Sequence, residues 1–175
     1  MEIIGKIEME RIISRMAYEI VEKSKPGEQF AIVGIQRRGV SLAKRLCHKI
    51  SELEGHAIDF GILDITLYRD DLSLIATHPV INGTDVHFQV EGKTIILVDD
   101  VLYTGRTVRC AMEALMEMGR PKAIRLAVLI DRGHRELPIG ADYVGKTLPT
   151  SSNEIVHVNV EEFDGIESVT IEKKE

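Results

Sequence analysis

The chain has 175 residues, of which 44% are hydrophobic and 29% charged, which is typical of a folded globular protein and excludes a disordered or collagen-like chain. Its net charge of −6 would repel a phosphate backbone, so any nucleic-acid role must rest on a local basic patch. Its two cysteines are isolated, no signal peptide is recognisable, and no apolar run approaches the ~18 residues of a membrane span. We therefore expect a cytoplasmic protein with no membrane partner and a single domain, residues 1–175.

Over the first three quarters of the chain, the apolar pattern predicts helices that alternate with strands. Apolar residues recur with helical spacing over residues 7–22, from Leu42 to Ile50, and up to Met118. Continuous apolar runs predict strands at Gln29–Ile35, Ala57–Leu67, Thr94–Val98 and Ile124–Ile130. This alternation predicts an α/β fold with a central, mostly parallel sheet, in which ligands bind at the carboxyl ends of the strands.

Two stretches break that alternation. Residues 68–92 show little apolar periodicity and are longer than an ordinary loop, so they are either disordered or functional. From about residue 133 the pattern changes to short strands at Asp142–Val144, Ile155–Val160 and Ser168–Ile171. We interpret residues 133–175 as a small cap over the edge of the sheet and not as a second domain.

One candidate phosphate site fits the Walker A pattern G-x-x-x-x-G-K-[ST] at Gly140–Thr147. That motif requires a buried strand before it and a helix after it, because the amides at the helix start bind the phosphate. Here Pro149 follows closely and the next residues lack helical periodicity. The context therefore argues against a nucleoside triphosphatase.

A second candidate site has the right context at both ends. The strand Thr94–Val98 leads into Asp99 and Asp100, and then into the turn Thr104-Gly105-Arg106-Thr107 before a helix. The glycine, the hydroxyls and the free amides at a helix start suit a phosphate monoester, and ionised carboxylates accept hydrogen bonds from vicinal hydroxyls. The pattern indicates a ribose 5-phosphate site, although ordinary strand-end acids are the alternative for the pair.

Residues 94–111 resemble the phosphoribosyl-diphosphate (PRPP) signature of the type I phosphoribosyltransferases. The strings DITLYRDDL (Asp64–Leu72), VDDVLYTGRTVR (Val98–Arg109), DRGHRELPI (Asp131–Ile139) and ADYVGK with LPTS (Ala141–Ser151) are similar to the members of that family that regulate pyrimidine operons and are also uracil phosphoribosyltransferases. The resemblance covers about residues 10–160. It implies the type I phosphoribosyltransferase fold, with a C-terminal hood at about 133–175 and a mobile β-hairpin lid at about 68–92.

The resemblance also implies roles for individual residues. Asp99 and Asp100 would hold the ribose hydroxyls, and Arg69 in the lid would reach the leaving diphosphate. Asp131, Tyr143 and Val144 would lie near the uracil. The residues implied to bind PRPP or UMP are Arg37, Arg38, Gly39, Asp99, Asp100, Val101, Leu102, Tyr103, Thr104, Gly105, Arg106 and Thr107.

The reaction implied by this resemblance is uracil + PRPP → UMP + diphosphate, with Mg²⁺ held mainly through PRPP and no dedicated protein site. Further implied partners are UMP and UTP as effectors, a hairpin in the pyrimidine-operon leader mRNA, and a second copy of the chain in a homodimer or higher oligomer. The basic candidates for RNA contact are Arg11, Arg15, Arg132, His134 and Arg135.

The alternatives are an enzyme without RNA binding and an RNA regulator with weak residual activity. Ser14, Tyr18, Arg37 and Gly140 depart from the regulator pattern at positions tied to RNA contact. Arg132, His134 and Arg135 also suit an active-site edge or a solvated loop, and Arg37 and Arg38 also suit a solvated loop.

Overall fold

The computed structural model describes residues 1–66 and 83–175, and Arg69 with most of the predicted lid lies outside them. In chain order the described elements are β1 (Glu2–Gly5), α1 (Lys6–Lys23), β2 (Phe30–Ile35), α2 (Arg38–Glu54), β3 (Asp59–Leu63), β4 (Thr94–Leu102), α3 (Arg106–Met118), β5 (Ala123–Asp131), β6 (Tyr143–Thr147), β7 (Glu154–Asn159), α4 (Glu161–Asp164) and β8 (Ser168–Lys173). None of these helices combines the length and apolar character needed to cross a bilayer.

Five strands form a central sheet in the order β3-β2-β4-β5-β6, and every neighbouring pair is parallel. This confirms the predicted α/β class with its parallel sheet. The chain leaves β2 through α2 toward one edge of the sheet, and leaves β4 through α3 toward the other. The strand order therefore reverses between β2 and β4, which opens a crevice at their carboxyl ends.

The sheet is buried on both faces, which explains why its strands read as continuous apolar runs. Successive side chains of β4 point to opposite faces. Ile96 packs in a core with α1 and α2, and Leu97 packs in a second core with α3. The three helices thereby cover both faces, and the loops at the carboxyl edge are held on a rigid layer.

The remaining strands form a small antiparallel sheet in the order β1-β8-β7. Ile4, Val158 and Val169 of this sheet share the core of α1 and α2. We call this sheet together with α4 the hood. The predicted cap is corrected in two ways, since the N-terminal β1 joins the hood and β6 does not. The four residues of β1 are too few to show a periodic pattern.

β6 instead pairs in parallel with β5, with Ala127 opposite Tyr143 and Asp131 opposite Thr147. The predicted strand Asp142–Val144 is therefore the start of the fifth strand of the main sheet. The segment after the undescribed residues packs against the sheet, because Asp85 forms an isolated antiparallel bridge with Ile62 and Val90 is buried. This places the end of the predicted 68–92 lid against β3.

Candidate active site

At the crevice, β4 extends beyond the end of β2. Gly34 of β2 pairs with Val98, while β4 continues to Leu102 and, among the residues that the structure describes, pairs beyond that point only with β5. The sequence predicted that the strand ends at Val98, before the acids, and the structure corrects this. Pairing of Val101 and Leu102 with β5 extends the strand, so both acids lie within it.

The two acids have different environments. Asp99 is 7% exposed, and its Oδ1 accepts a hydrogen bond of 2.9 Å from the backbone N–H of Asp100. Asp100 is half-buried, and its Oδ1 accepts a hydrogen bond of 2.8 Å from the N–H of Val101. Asp100 is therefore the more accessible carboxylate, and Asp99 is the one that lies deeper in the fold.

The turn after β4 has the conformation that an anion site needs. Gly105 precedes α3 with φ +93° and ψ −4°, a left-handed geometry that favours glycine. Thr104 Oγ1 accepts a hydrogen bond of 3.2 Å from the N–H of Arg106, the first residue of α3. Thr107 follows in the first turn of that helix. The first-turn amides and the positive dipole end of α3 therefore lie beside two hydroxyls at this turn.

Residues 35–39 join the end of β2 to the start of α2 and form the 35–39 loop, which lies on the other side of the crevice. A Cβ on Gly39 would lie 2.7 Å from Val98 O and 3.4 Å from Asp99 Oδ1, so only glycine lets α2 begin this close to β4. Arg37 is exposed and Arg38 is half-buried. The structure thus brings the residues of the 35–39 loop beside the acid pair, as expected for neighbouring strands of a parallel sheet.

Tyr103 and the segment after β5 form the third wall of the site. The guanidinium carbon of Arg132 lies 4.0 Å from the centroid of the Tyr103 ring, and the His134 ring is edge-on to the same tyrosine at 5.8 Å. Arg132 is only 6% exposed and donates hydrogen bonds to Thr150 Oγ1 and to the Ser151 and Glu154 carbonyls. It therefore joins the β4 turn to the loop after β6.

Arg135 is half-buried and is likewise engaged by the protein. Its guanidinium donates to the Tyr103 carbonyl at 2.8 Å, to the Ile139 carbonyl at 2.8 Å and to Asp131 Oδ2 at 2.6 Å. Together with the burial of Arg132, these contacts assign both arginines to the edge of the site. Of the three interpretations that the sequence allows for these two arginines, an RNA surface is the least compatible with these contacts.

The three residues predicted to lie near the base are separated by the fold. Asp131 ends β5 at the carboxyl edge of the sheet. Tyr143 is the first residue of β6, four positions before Thr147, which pairs with Asp131, and it is 1% exposed. Burial raises the pKa of its hydroxyl, and Lys23 Nζ lies 5.0 Å from its ring centroid. Tyr143 therefore packs in the core, and Val144 beside it is likewise removed from the edge, because both stand early in a parallel strand.

The segment that fits the Walker A pattern is strand β6. Gly145 lies against β5, since a Cβ there would overlap Leu129 O and lie 2.8 Å from Ile12 Cγ2. Lys146 Nζ pairs with Glu8 of α1 at 3.1 Å. The chain after Thr147 forms no helix before β7. The expectation that this segment is no nucleotide loop is confirmed by its place in the sheet.

Two polar contacts at the site could not be predicted from the sequence. Thr150 Oγ1 accepts from Arg132 and donates to its carbonyl, each at 3.1 Å. Asp164 of the hood forms a two-point ion pair with Arg38, which is 126 positions away in the chain. The first contact depends on how the loop after β6 packs against the end of β5, and the second on how the hood packs against α2, and no local sequence pattern encodes either.

Comparisons with known proteins agree with this architecture. The family model described as a phosphoribosyl transferase domain matches residues 3–162. The bifunctional protein PyrR of Caldicellulosiruptor bescii is 60% identical over 98% of this chain and 94% of its own length. PyrR of Acetivibrio thermocellus is 59% identical over 97% of this chain and 92% of its own.

Solved structures show the same fold at low identity. A hypoxanthine phosphoribosyltransferase from Staphylococcus aureus matches with a TM-score of 0.72 and 19% identity, covering 97% of this chain and 90% of its own. A Trypanosoma cruzi hypoxanthine phosphoribosyltransferase matches with a TM-score of 0.74 and 18% identity, covering 97% and 93%. The chain therefore belongs to the phosphoribosyltransferase family, within its group of bifunctional PyrR proteins.

Proposed function

We propose that this protein transfers the 5-phosphoribosyl group from PRPP to uracil, giving UMP and diphosphate, and that it also binds the leader mRNA of pyrimidine genes. The observation that carries the enzymatic half is the acid pair of β4 followed by the left-handed Gly105 at the start of α3, in the crevice where the strand order reverses. The PyrR relatives at 60% and 59% identity support uracil as the base.

The chemistry explains why this site needs charge and enclosure more than a nucleophile. The bond between the anomeric carbon and the diphosphate oxygen breaks, and diphosphate leaves. A ring nitrogen of uracil forms a bond to the same carbon and releases its proton. Positive charge develops on the sugar and negative charge on the diphosphate. Asp99 and Asp100 suit the two hydroxyls of the ribose, and the amides and hydroxyls of residues 104–107 suit its 5-phosphate.

Arg37 and Arg38 stand at the start of α2 beside the crevice, on the side where the diphosphate would leave. Guanidinium groups bind phosphate oxygens through paired hydrogen bonds. Mg²⁺ prefers oxygen ligands and retains several waters. The diphosphate and ribose oxygens of PRPP, with Asp99 or Asp100 nearby, make such a donor set, and the metal would neutralise charge on the leaving group. Arg69 and the lid around it remain part of this proposal, as an element that excludes water.

The base would lie near Asp131 and the Arg132–Tyr103 pair, between the turn after β4 and the loop after β6. This replaces Tyr143 and Val144 in the proposal, because both lie early in β6. Polar groups at this edge come from the 148–154 loop that Arg132 holds. A pyrimidine hydrogen-bonds readily to such backbone and hydroxyl groups.

The direct test is UMP formation from uracil and PRPP with Mg²⁺, run beside cytosine and hypoxanthine. We expect turnover with uracil alone. Hypoxanthine is the informative control, because the solved structures of similar fold are hypoxanthine phosphoribosyltransferases. Failure to consume PRPP with any pyrimidine would contradict the enzymatic proposal.

The RNA half has its own structural support. A groove of about 790 Å³ lies between α1, α2 and the hood, and the side chains that line it include Lys6, Arg11, Ser14, Lys44, Arg45, His48 and Lys49. Its basic residues outnumber its three glutamates, which gives this acidic protein the local positive patch that RNA binding requires. Arg11 is exposed in this groove, and Arg15 and Tyr18 are exposed on the same helix.

We propose that the RNA surface uses Arg11, Arg15 and the exposed His134, with UMP or UTP in the active site as the effector, in the cytoplasm and in a homo-oligomer. Arg15 is partly engaged, because it pairs with Glu19 and donates to the Val144 and Gly145 carbonyls. A gel-shift assay with a leader hairpin and a scrambled hairpin, with and without UMP, tests this half separately from catalysis.

A further inference from the structure

The short hood helix α4 lies along one face of α2, the helix that carries the 35–39 loop. Arg38 and Arg45 are seven positions apart, so they share a face of α2. Glu162 of α4 accepts from Arg45 at 2.7 and 3.3 Å, and Asp164 accepts from Arg38 at 2.7 and 3.1 Å. Two paired carboxylate–guanidinium contacts thus fasten the hood to α2, one of them at the crevice.

The contact at the crevice is well defined on both sides. Asp164 Oδ2 also accepts a hydrogen bond of 2.8 Å from the backbone N–H of Val160, which fixes the carboxylate relative to the hood. The Asp164 side chain is 18% exposed and the Arg38 side chain 34%. The hydrogen bond from Arg38 lowers the pKa of Asp164, so this carboxylate remains charged at neutral pH.

Arg38 is held beside the acid pair of β4. Its neighbour Gly39 packs against Val98 O and Asp99, and the charge of Asp100 adds to the effect of Asp164 in raising the pKa of the Arg38 guanidinium. A guanidinium presents two edges for paired hydrogen bonds. Asp164 occupies the Nε–Nη2 edge, and Nη1 has no hydrogen-bond partner among the residues that the structure describes.

We propose that Asp164 is a positioning residue for the diphosphate end of PRPP: it fixes the Arg38 guanidinium through one edge so that the Nη1 edge is presented to a phosphate oxygen. This inference rests on the proposed phosphoribosyl transfer. A long arginine side chain loses considerable rotamer freedom when it binds a ligand. The prior contact with Asp164 removes much of that cost before PRPP arrives.

The test compares Asp164→Asn with Glu162→Gln on the same helix. Glu162→Gln is the matched control, because it weakens the parallel contact with Arg45 and leaves Arg38 untouched. We expect Asp164→Asn to raise the KM for PRPP about 5-fold to 10-fold and to weaken binding of magnesium diphosphate in a calorimetric titration by a similar factor. The KM for uracil should stay constant, Glu162→Gln should leave both quantities unchanged, and Asp164→Glu should recover part of the loss.

A double variant separates positioning from simple stabilisation. If Asp164 acts through Arg38, Asp164→Asn should change the KM for PRPP little further when Arg38 is already alanine. Equal losses of Tm in Asp164→Asn and Glu162→Gln with an unchanged KM for PRPP would mean that the contact is only structural. A lower KM for PRPP in Asp164→Asn would mean that Asp164 competes with diphosphate, which also overturns the proposal.

The diphosphate titration keeps this inference distinct from the proposed reaction. Should the wild type bind diphosphate but form no UMP, the choice of uracil would be wrong while the role of Asp164 could still be measured. Should Asp164→Asn be too unstable to purify, Asp164→Glu and Arg38→Ala provide the comparison. Unchanged diphosphate binding in both would then contradict the role of the pair.

Discussion

At the scale of single residues, the two adjacent aspartates differ in how deeply they are buried. Asp99 lies deeper and accepts the N–H of Asp100, whereas Asp100 retains more exposure. Ionised carboxylates accept hydrogen bonds from hydroxyls, so in the proposed mechanism Asp100 is the more accessible of the two acceptors for the ribose. Asp99 also shapes the strand beside the start of α2, where Gly39 approaches it closely.

Replacing Asp100 by asparagine is therefore expected to lower kcat/KM for UMP formation by about 10²-fold, because the developing positive charge on the ribose loses an anionic neighbour. The fold should persist, since the amide oxygen of asparagine can still accept the N–H of Val101. Initial rates with saturating uracil, together with a thermal melt, measure both effects. An unimpaired rate in Asp100→Asn would remove this residue from the mechanism.

How far residue roles follow from sequence depends on whether local order determines them. The acids, Gly105 and the first turn of α3 stand in one continuous string, and the structure places them together at one edge. The expected position of Tyr143 near the base is wrong, because a motif match does not show where along a strand a residue lies. Arg132 and Asp164 find their partners 18 and 126 positions away, a distance over which sequence periodicity carries no information.

At the scale of elements, the close approach of α1 to β6 depends on one glycine. Gly145 leaves room for Leu129 O and for the Ile12 side chain. The same glycine is part of the stretch that fits a phosphate-binding pattern. The structure explains its presence by close packing against β5 and α1. Strand boundaries are less predictable from sequence, because β4 gains four residues only through its pairing with β5.

The packing role of Gly145 can be tested by alanine substitution. Gly145→Ala should lower the free energy of unfolding by about 2 kcal/mol, the usual scale for an overpacked core position. Gly140→Ala is the matched control, because a Cβ there meets nothing within 4 Å, and it should change stability little. Urea denaturation of both variants measures the difference. Equal stabilities of the two variants would contradict the proposed packing constraint.

At the scale of the whole molecule, the sheet has a functional edge and a structural edge. At the amino edge, Glu28 is 4% exposed in its side chain. It accepts from the Lys25 N–H and the Thr94 hydroxyl, each at 2.9 Å, and its carboxylate lies 3.5 Å from Arg125. The backbone hydrogen bond from Lys25, followed by the Thr94 bond, holds the pKa of Glu28 below its ordinary value.

A lowered pKa in the folded state means that Glu28 stabilises the protein above the ordinary glutamate pKa of ~4.3. That contribution is lost as the pH falls through the lowered pKa of the folded state. Glu28→Gln should thus reduce Tm at pH 7, and the difference from wild type should shrink at acid pH. Glu22→Gln on the exposed side of α1 is the control, and a constant Glu28→Gln difference across the pH range would contradict the assignment.

The net charge of the protein is negative, whereas basic residues predominate in the groove between α1, α2 and the hood. This difference leads to a prediction about the effect of salt on RNA binding. Because the net charge is −6, attraction to RNA must come from local contacts, each of which releases counterions from the phosphates. Arg11→Ala should weaken hairpin binding at low salt and reduce the slope of log K against log salt by about 1. Arg120→Ala, outside the residues that line this groove, should leave the slope unchanged, and UMP should tighten wild-type binding. Equal affinity for the leader hairpin and its scrambled form at low salt would contradict the RNA half of the proposed function.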